Sequence, residues 1–181
     1  MTTFIALLRG INVSGKNTIP MADLQKSFEA LALDDMRTYL QSGNVVFSAG
    51  RTDRGRLAPA IRSRIAEDFG HDVDVLVVAA KALNLIASSN PLWPRLGTDE
   101  KLFHGTFLFE PISEGRFQEL KLPSQPGEHA VLIGQVVLLY CPHGYGRTKL
   151  NNGFFEKALG VRATTRNWRT VLALHDLCSK Q

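Results

Sequence analysis

Cysteine and long apolar runs are both scarce in this chain of 181 residues. The two cysteines, Cys141 and Cys178, are too few for a disulfide framework, so we expect free thiols in a reducing compartment. The longest apolar runs, such as residues 136–141, are far too short to span a bilayer, which predicts no association with a membrane. The first nine residues lack the basic stretch of a signal peptide, so we expect them to be structural and the protein to be cytoplasmic.

The composition is typical of a soluble globular protein, with 44% hydrophobic and 21% charged residues. A chain of this length fits one compact domain or two small ones and needs no metal or disulfide to fold. Its positive charge is concentrated, because residues 145–169 hold six Lys and Arg residues against Glu156 alone, a net charge of +5 in a chain of net charge +4. Such a segment favours an anionic partner, either a phosphorylated ligand or nucleic acid; the alternative is a solvated basic surface.

Hydrophobic periodicity predicts the element order βαββαβ in the first half of the chain. The Ser42-Gly43-Asn44 segment is typical of a hairpin turn, because Gly and Asn tolerate positive φ. The predicted elements are a strand at 4–8, a helix at 20–32, strands at 36–41 and 45–48, a helix at 54–69 and a strand at 73–77.

The same order recurs in the second half, after a short helix at 81–88. The predicted elements are a strand at 102–109, a helix at 114–120, strands at 129–133 and 136–141 around a Gly134-Gln135 turn, a helix at 152–159, a strand at 162–165 and a terminal helix capped by Asn167. We therefore predict an α+β protein of tandem ferredoxin-like units with an additional C-terminal helix. The predicted domains are residues 1–89 and 102–181, joined by a proline-containing linker at 90–101.

In this arrangement we expect the first and third strands of each unit to lie side by side and parallel. The loops that leave their C-terminal ends would then be neighbours, and ligands commonly bind beyond such strand ends. These loops are residues 9–18 and 49–54 in the first unit, and 110–113 and 142–151 in the second. We further expect the basic tips of distant loops, with Lys16 and Lys149, to share one hollow.

Four groups of motifs contain most of the notable polar residues. They are Leu7–Val13 (LLRGINV) with Gly15–Asn17 and Ile19–Met21, Thr38–Phe47 (TYLQSGNVVF), Gly146–Leu150 (GRTKL) and Ala163–Trp168 (ATTRNW). Together they resemble the bacterial domain of unknown function 1697 family over nearly the whole chain. The resemblance implies an α+β fold of ferredoxin-like character. It implies no activity, because that family is uncharacterised.

The side chains in these motifs are nearly all hydrogen-bond donors, and carboxylates are missing from them. Arginine forks and lysine charges beside turn glycines suit a phosphate-type oxyanion, although the spacing is not that of a Walker A loop. We therefore predict a site for a phosphorylated or carboxylated small molecule. Its predicted ligand-binding residues are Arg9, Asn12, Lys16, Asn17, Ser42, Asn44, Arg147, Lys149, Arg166 and Trp168.

The sequence identifies no reaction, and it predicts no metal site and no cofactor. Cys141 and His143 form one candidate nucleophile and base at a strand end. Two other functions stay open. One is a nucleic-acid binding module, suggested by the basic segment and Trp168, although the third strand offers only Phe47 for base stacking. The other is a structural or partner-binding protein in which the polar motifs hold the two units together.

Overall fold

The computed structural model describes residues 1–50 and 54–179. The chain divides into two compact units, the first made of Met1–Asn84 with the residues from Ala173 onward, and the second of Leu85–Leu172. Each unit contains a four-stranded antiparallel sheet with helices packed against it. This confirms the predicted class of tandem ferredoxin-like units. Within the described residues, no helix has the length and hydropathy needed to cross a membrane.

Unit 1 follows the predicted βαββαβ order and has the strand order β2-β3-β1-β4. The elements are β1 (Thr2–Leu8), α1 (Met21–Glu29), β2 (Asp34–Tyr39), β3 (Asn44–Ala49), α2 (Arg54–Phe69) and β4 (Val75–Ala79), and α3 (Ala80–Ser88) follows. Helix α1 begins after Pro20, as predicted, but ends at Glu29, before Ala32 turns left-handed at φ 54°. The predicted strand at 73–77 lies two residues further along the chain.

Unit 2 repeats the pattern with the strand order β6-β7-β5-β8. Its elements are β5 (Phe103–Leu108), α4 (Glu114–Gln118), β6 (His129–Ile133), β7 (Val136–Tyr140), α5 (Asn152–Leu159), β8 (Ala163–Asn167) and the start of α6 (Trp168–Ser179). Two turn signals act as predicted. Gly134 adopts φ 59° in the two-residue β6–β7 hairpin, and the side chain of Asn167 accepts a hydrogen bond of 3.0 Å from the Arg169 N–H at the start of α6.

Helix α6 belongs to both units, since its residues from Ala173 onward group with unit 1. There, the Arg37 guanidinium donates to the Leu177 carbonyl at 3.1 Å. The segment 90–101 is part of unit 2 and packs against it, since Leu92 is buried and Trp93 contacts Phe103 edge-on at 5.1 Å. The domain boundaries given above stay a prediction.

Each unit has its own apolar core between sheet and helices. In unit 1, Phe47 of the central strand β3 stacks on Phe4 at 5.8 Å and meets the edge of Phe28 at 5.6 Å. In unit 2, Leu139 and Phe155 lie in the corresponding layer and are fully buried. Strands β1 and β3, and likewise β5 and β7, are central. The strands β1, β3 and β7 carry near-continuous apolar runs, which is why periodicity located them, whereas residues 104–106 interrupt the apolar run of β5.

The expected parallel arrangement of the first and third strands is wrong, because β1 pairs with β3 in antiparallel register and β5 pairs with β7 in the same way. The crossover through α1 makes β2, not β3, run in the direction of β1. The tight hairpin then reverses the chain, so β3 enters between them in the opposite direction. The C-terminal ends of the first and third strands therefore lie at opposite ends of the strands' length in each sheet.

Candidate functional site

The motif residues of unit 1 meet at the end of the sheet where β1 stops and β3 begins. We call residues 9–18 and 39–44 the unit 1 motif edge. The Leu8 N–H donates to the Gly43 carbonyl at 2.8 Å, and the Asn12 side chain donates to the Gln41 carbonyl at 2.8 Å. The structure thus brings together Arg9, Asn12, Lys16, Asn17, Ser42 and Asn44 from the predicted set. The other predicted loop, 49–54, leaves the opposite end of the sheet, and residues 51–53 lie outside the described residues.

The amide side chains at this edge hold the local backbone in place. Asn12 donates to the Ile19 carbonyl at 3.0 Å and accepts from the Ile19 N–H at 2.8 Å, in addition to its bond to Gln41. Asn17 donates to the Gly10 carbonyl at 3.1 Å. Asn44, fully buried, donates to the Tyr39 carbonyl at 3.1 Å and to the Ser42 hydroxyl at 2.9 Å. Their hydrogen-bonding capacity is therefore directed at the loops themselves.

The backbone at this edge is unusually often left-handed. Asn12, Ser14, Asn17 and Leu40 have φ between 48° and 57°, a region that residues other than glycine rarely adopt. At Gly43, with φ 75°, an added Cβ would lie 2.8 Å from the Leu8 Cβ. Only glycine fits there, because both the φ angle and the approach of β1 exclude a side chain.

The two cations of this edge have different surroundings. The Arg9 guanidinium lies 3.9 Å from the Asp74 carboxylate, which also accepts from Arg62 at 3.0 Å. Lys16 is exposed and has no acidic partner in the part of the chain that the structure describes. Among the described residues, the unit 1 motif edge therefore presents one exposed cation without an acidic partner, on a loop whose asparagine side chains are already bonded.

The motif residues of unit 2 lie at the end of the sheet where β7 and β8 stop and where β5 and β6 begin. We call residues 100–106, 125–129, 141–152 and 165–168 the unit 2 motif edge. The strand register places His104 opposite Asn167, and the Tyr145 ring stacks on His104 at 4.5 Å between centroids. The loop 110–113 lies at the opposite end of the sheet, because it follows the C-terminal end of β5.

The hydroxyl and amide side chains next to the His104 and Tyr145 rings form a hydrogen-bond network. The Thr106 and Thr165 hydroxyls are 2.8 Å apart, and Thr165 donates to the Asn152 side chain at 2.6 Å. Tyr145 is hydrogen-bonded to the Thr165 side chain, and burial raises the Tyr145 pKa above its ordinary value. This hydrogen-bond network fixes the position of Tyr145, which is the first residue of the turn that contains Gly146 and Arg147.

Buried polar atoms without a partner are found at this edge. Among the described residues, three such side-chain atoms occur: His104 Nδ1, Trp168 Nε1 and Glu128 Oε1. Burial lowers the pKa of His104 to about 4, so its ring is neutral at pH 7. Trp168, predicted as a ligand residue, is fully buried. The polar groups of the unit 2 motif edge are thus incompletely satisfied, in contrast with those of unit 1.

The cations of the basic segment divide into two groups. Arg169 lies 3.3 Å from Glu100, Arg162 lies over the Phe109 ring at 5.2 Å, and Arg166 donates to the Thr164 hydroxyl at 2.9 Å. Burial also lowers the pKa of Arg166 to about 10. By contrast, Arg147, Lys149 and Lys157 are exposed, and none of them has an acidic partner among the described residues.

The candidate nucleophile and base have unsuitable surroundings. Cys141 is fully buried, and its burial together with the negative charge of Glu128 raises the thiol pKa to about 11. The His143 ring is hydrogen-bonded to the Pro126 carbonyl at 3.0 Å. The thiol therefore stays protonated at neutral pH, and the pair does not supply a thiolate. Within the described residues, no group of His, Cys, Asp and Glu side chains has the arrangement of a metal site.

His104, Tyr145 and Glu128 were not predicted as site residues. Their proximity follows from strand register and from the path of the β7–α5 loop, neither of which periodicity reveals. One signal was present in the sequence, since His104 is a titratable residue inside an otherwise uncharged buried strand.

These features define a protein of two ferredoxin-like units. The structure is similar to that of the conserved bacterial protein SP0830 from Streptococcus pneumoniae, with a TM-score of 0.75, 20% sequence identity and 98% of each chain covered. Residues 1–138 match the family described as "Protein of unknown function (DUF1697)", and the chain belongs to this family. The motifs at 146–150 and 163–168 lie beyond the matched residues. A comparison with curated proteins finds no match.

Proposed function

We propose that unit 2 binds a phosphate-type anion of a small molecule at its motif edge, through Arg147 and Lys149. The observation that carries the proposal is that Arg147 and Lys149 lie two residues apart on one short turn, where both are exposed and lack an acidic partner among the described residues. The nearby Glu128 carboxylate accepts from the Gln125 N–H at 2.8 Å. An arginine fork and a lysine charge on one short turn match the geometry and the charge of a phosphate group.

The rigidity of this turn supports the proposal. Tyr145 is held by Thr165 and by the His104 ring, and the Arg147 carbonyl accepts from the Gln125 side chain at 2.8 Å. A backbone fixed before binding lowers the entropic cost of ordering the site.

The exposure of Arg147 also separates this proposal from a purely structural role. Buried, mutually bonded arginines would favour a protein whose motifs only hold its own parts together. In unit 1 the amides bond to their own backbone, so we propose no phosphate-type site there and assign the ligand role to Arg147 and Lys149. The predicted hollow shared by Lys16 and Lys149 stays a prediction. We place the protein in the reducing cytoplasm, because Cys141 and Cys178 are free thiols.

The test is a titration with inorganic phosphate, AMP and glucose 6-phosphate at low ionic strength, followed by isothermal calorimetry and by the shift in melting temperature. The double variant Arg147→Gln with Lys149→Gln should bind at least tenfold more weakly, since it removes two charge-assisted interactions. A matched control is Lys121→Gln with Lys157→Gln, which removes the same charge from exposed lysines elsewhere in unit 2.

Equal losses in the double variant and the control would show a general charge effect and would overturn the assignment of the site. A single-stranded oligonucleotide forms the second arm of the experiment. If it binds far more tightly than AMP and with a steep salt dependence, the protein is a nucleic-acid binding module instead.

A further inference from the structure

Unit 1 contains a cavity of about 220 Å³. It lies at the other end of the strands from the unit 1 motif edge, where β3 ends at Ala49. It is bounded by the turn between α1 and β2, by the end of β3 and by the first two turns of α2. Its lining includes Leu31, Leu33, Ala49, Arg56, Leu57 and Ala60. None of the residues predicted to bind an anion contributes to this lining.

The described lining residues combine an apolar wall with one charged side chain. Ala49 and Ala60 leave space that larger side chains would fill, while Leu57 and Leu33 are buried. Among the described lining residues, Arg56 is the one ionisable group, and it has no acidic partner in the described chain. A guest that matches this surface has an aliphatic body and an acidic head.

The size of the cavity limits the guest. An apolar cavity of about 150 Å³ accommodates benzene, so a volume of about 220 Å³ accommodates about eight non-hydrogen atoms. The guanidinium fork of arginine pairs with a carboxylate through two parallel hydrogen bonds. An unbranched carboxylate of about six carbons satisfies both conditions.

We propose that this cavity binds a small aliphatic carboxylate, with the chain against Leu33 and Leu57 and the carboxylate on Arg56. The site is separate from the phosphate-type site of unit 2 and does not depend on it. Arg56 stands in the first turn of α2, where the helix dipole adds to its attraction for an anion.

The experiment titrates the full chain with acetate, butanoate, hexanoate, octanoate and decanoate, observed by calorimetry and by amide chemical shifts. Because each buried methylene strengthens binding, affinity should rise about fourfold per methylene up to about six carbons and then level off. Hexanol, which has the chain without the charge, should bind about tenfold more weakly than hexanoate. Affinity that does not depend on chain length would overturn the proposal.

Two variants test the location. Ala60→Leu places a larger side chain at the cavity from an exposed helix position and should weaken hexanoate binding at least tenfold; Arg56→Gln should reduce the preference for hexanoate over hexanol. The matched control is Ala66→Leu, an exposed position of the same helix that does not line the cavity. If Ala60→Leu and Ala66→Leu bind hexanoate equally well, the carboxylate does not occupy this cavity.

Discussion

The two motif edges are both rich in hydrogen-bond donors, but the donors serve different purposes. At the unit 1 motif edge, Asn12, Asn17 and Asn44 bond to nearby backbone, and little capacity for a ligand is left. At the unit 2 motif edge, the backbone is held by Tyr145 and Thr165, while Arg147 and Lys149 are exposed and have no acidic partner in the described parts of the chain. The difference teaches that a donor-rich motif indicates a binding site only where its donors are not needed to build the loop.

The contrast has a physical origin in side-chain length. The short amide of asparagine reaches the backbone of its own loop and stabilises left-handed residues, as at Asn12 and Asn17. The longer Arg and Lys side chains extend from a turn that other residues hold, and their charges favour exposure unless they are paired. Unit 1 should therefore respond to substitution through stability, and unit 2 through binding.

The largest expected effect is at the turn glycines. Gly43→Ala should lower the free energy of unfolding by about 3 kcal/mol, because the new Cβ overlaps Leu8 and Ile11 at a left-handed φ. Gly146→Ala, in the unit 2 motif, should change it by less than about 0.5 kcal/mol, since an added Cβ meets nothing within 4 Å. Urea unfolding of both variants makes the comparison. Similar losses of unfolding free energy in the two variants would show that the two motif edges do not differ in how their backbone is packed.

The amide network gives the next effect. Asn12→Ala removes three hydrogen bonds from the loop and should cost about 2 to 3 kcal/mol of unfolding free energy. Arg147→Ala, in unit 2, should cost less than about 0.5 kcal/mol, because the side chain is exposed. Thermal unfolding checks both values. A large loss in Arg147→Ala would show that this arginine is structural.

The pH dependence of stability tests the burial of His104. Its pKa is about 4 in the folded chain and about 6.5 when unfolded, so between these values the unfolded state binds more protons. Stability due to His104 is therefore complete above pH 6.5 and falls as the pH drops toward 4, by about 2 kcal/mol at pH 5.

His104→Gln removes this titration, so its stability should depend less on pH between 7 and 5 than that of the unaltered protein. His129→Gln is the control, because His129 is an exposed residue of the same unit. Denaturant unfolding at both pH values measures the effect. Identical pH dependence in all three proteins would mean that the His104 ring reaches solvent.

The element order was predictable from sequence because each element has its own local pattern. The hairpin at Gly134 and the cap at Asn167 are both visible as residue types in the right place. Strand direction was predicted wrongly, since apolar runs such as β1 and β3 look the same in either direction. Direction follows from the combination of crossover and hairpin, which is a property of the whole unit.

The candidate site was predictable only in part. The motifs located Arg147 and Lys149, whose exposure now supports a binding role, but they also included Asn12 and Asn44, which bond to backbone. The stacking of Tyr145 on His104 joins residues 41 positions apart and depends on register and loop path. Neither quantity has a local sequence signal.

The proposal that Arg147 and Lys149 bind a phosphate-type anion is tested most directly by the change in backbone amide chemical shifts during a titration with inorganic phosphate. Binding at Arg147 and Lys149 should place the largest changes in residues 144–150, with small changes in residues 10–17. Saturating changes centred on residues 10–17, or the absence of any saturating change, would contradict it.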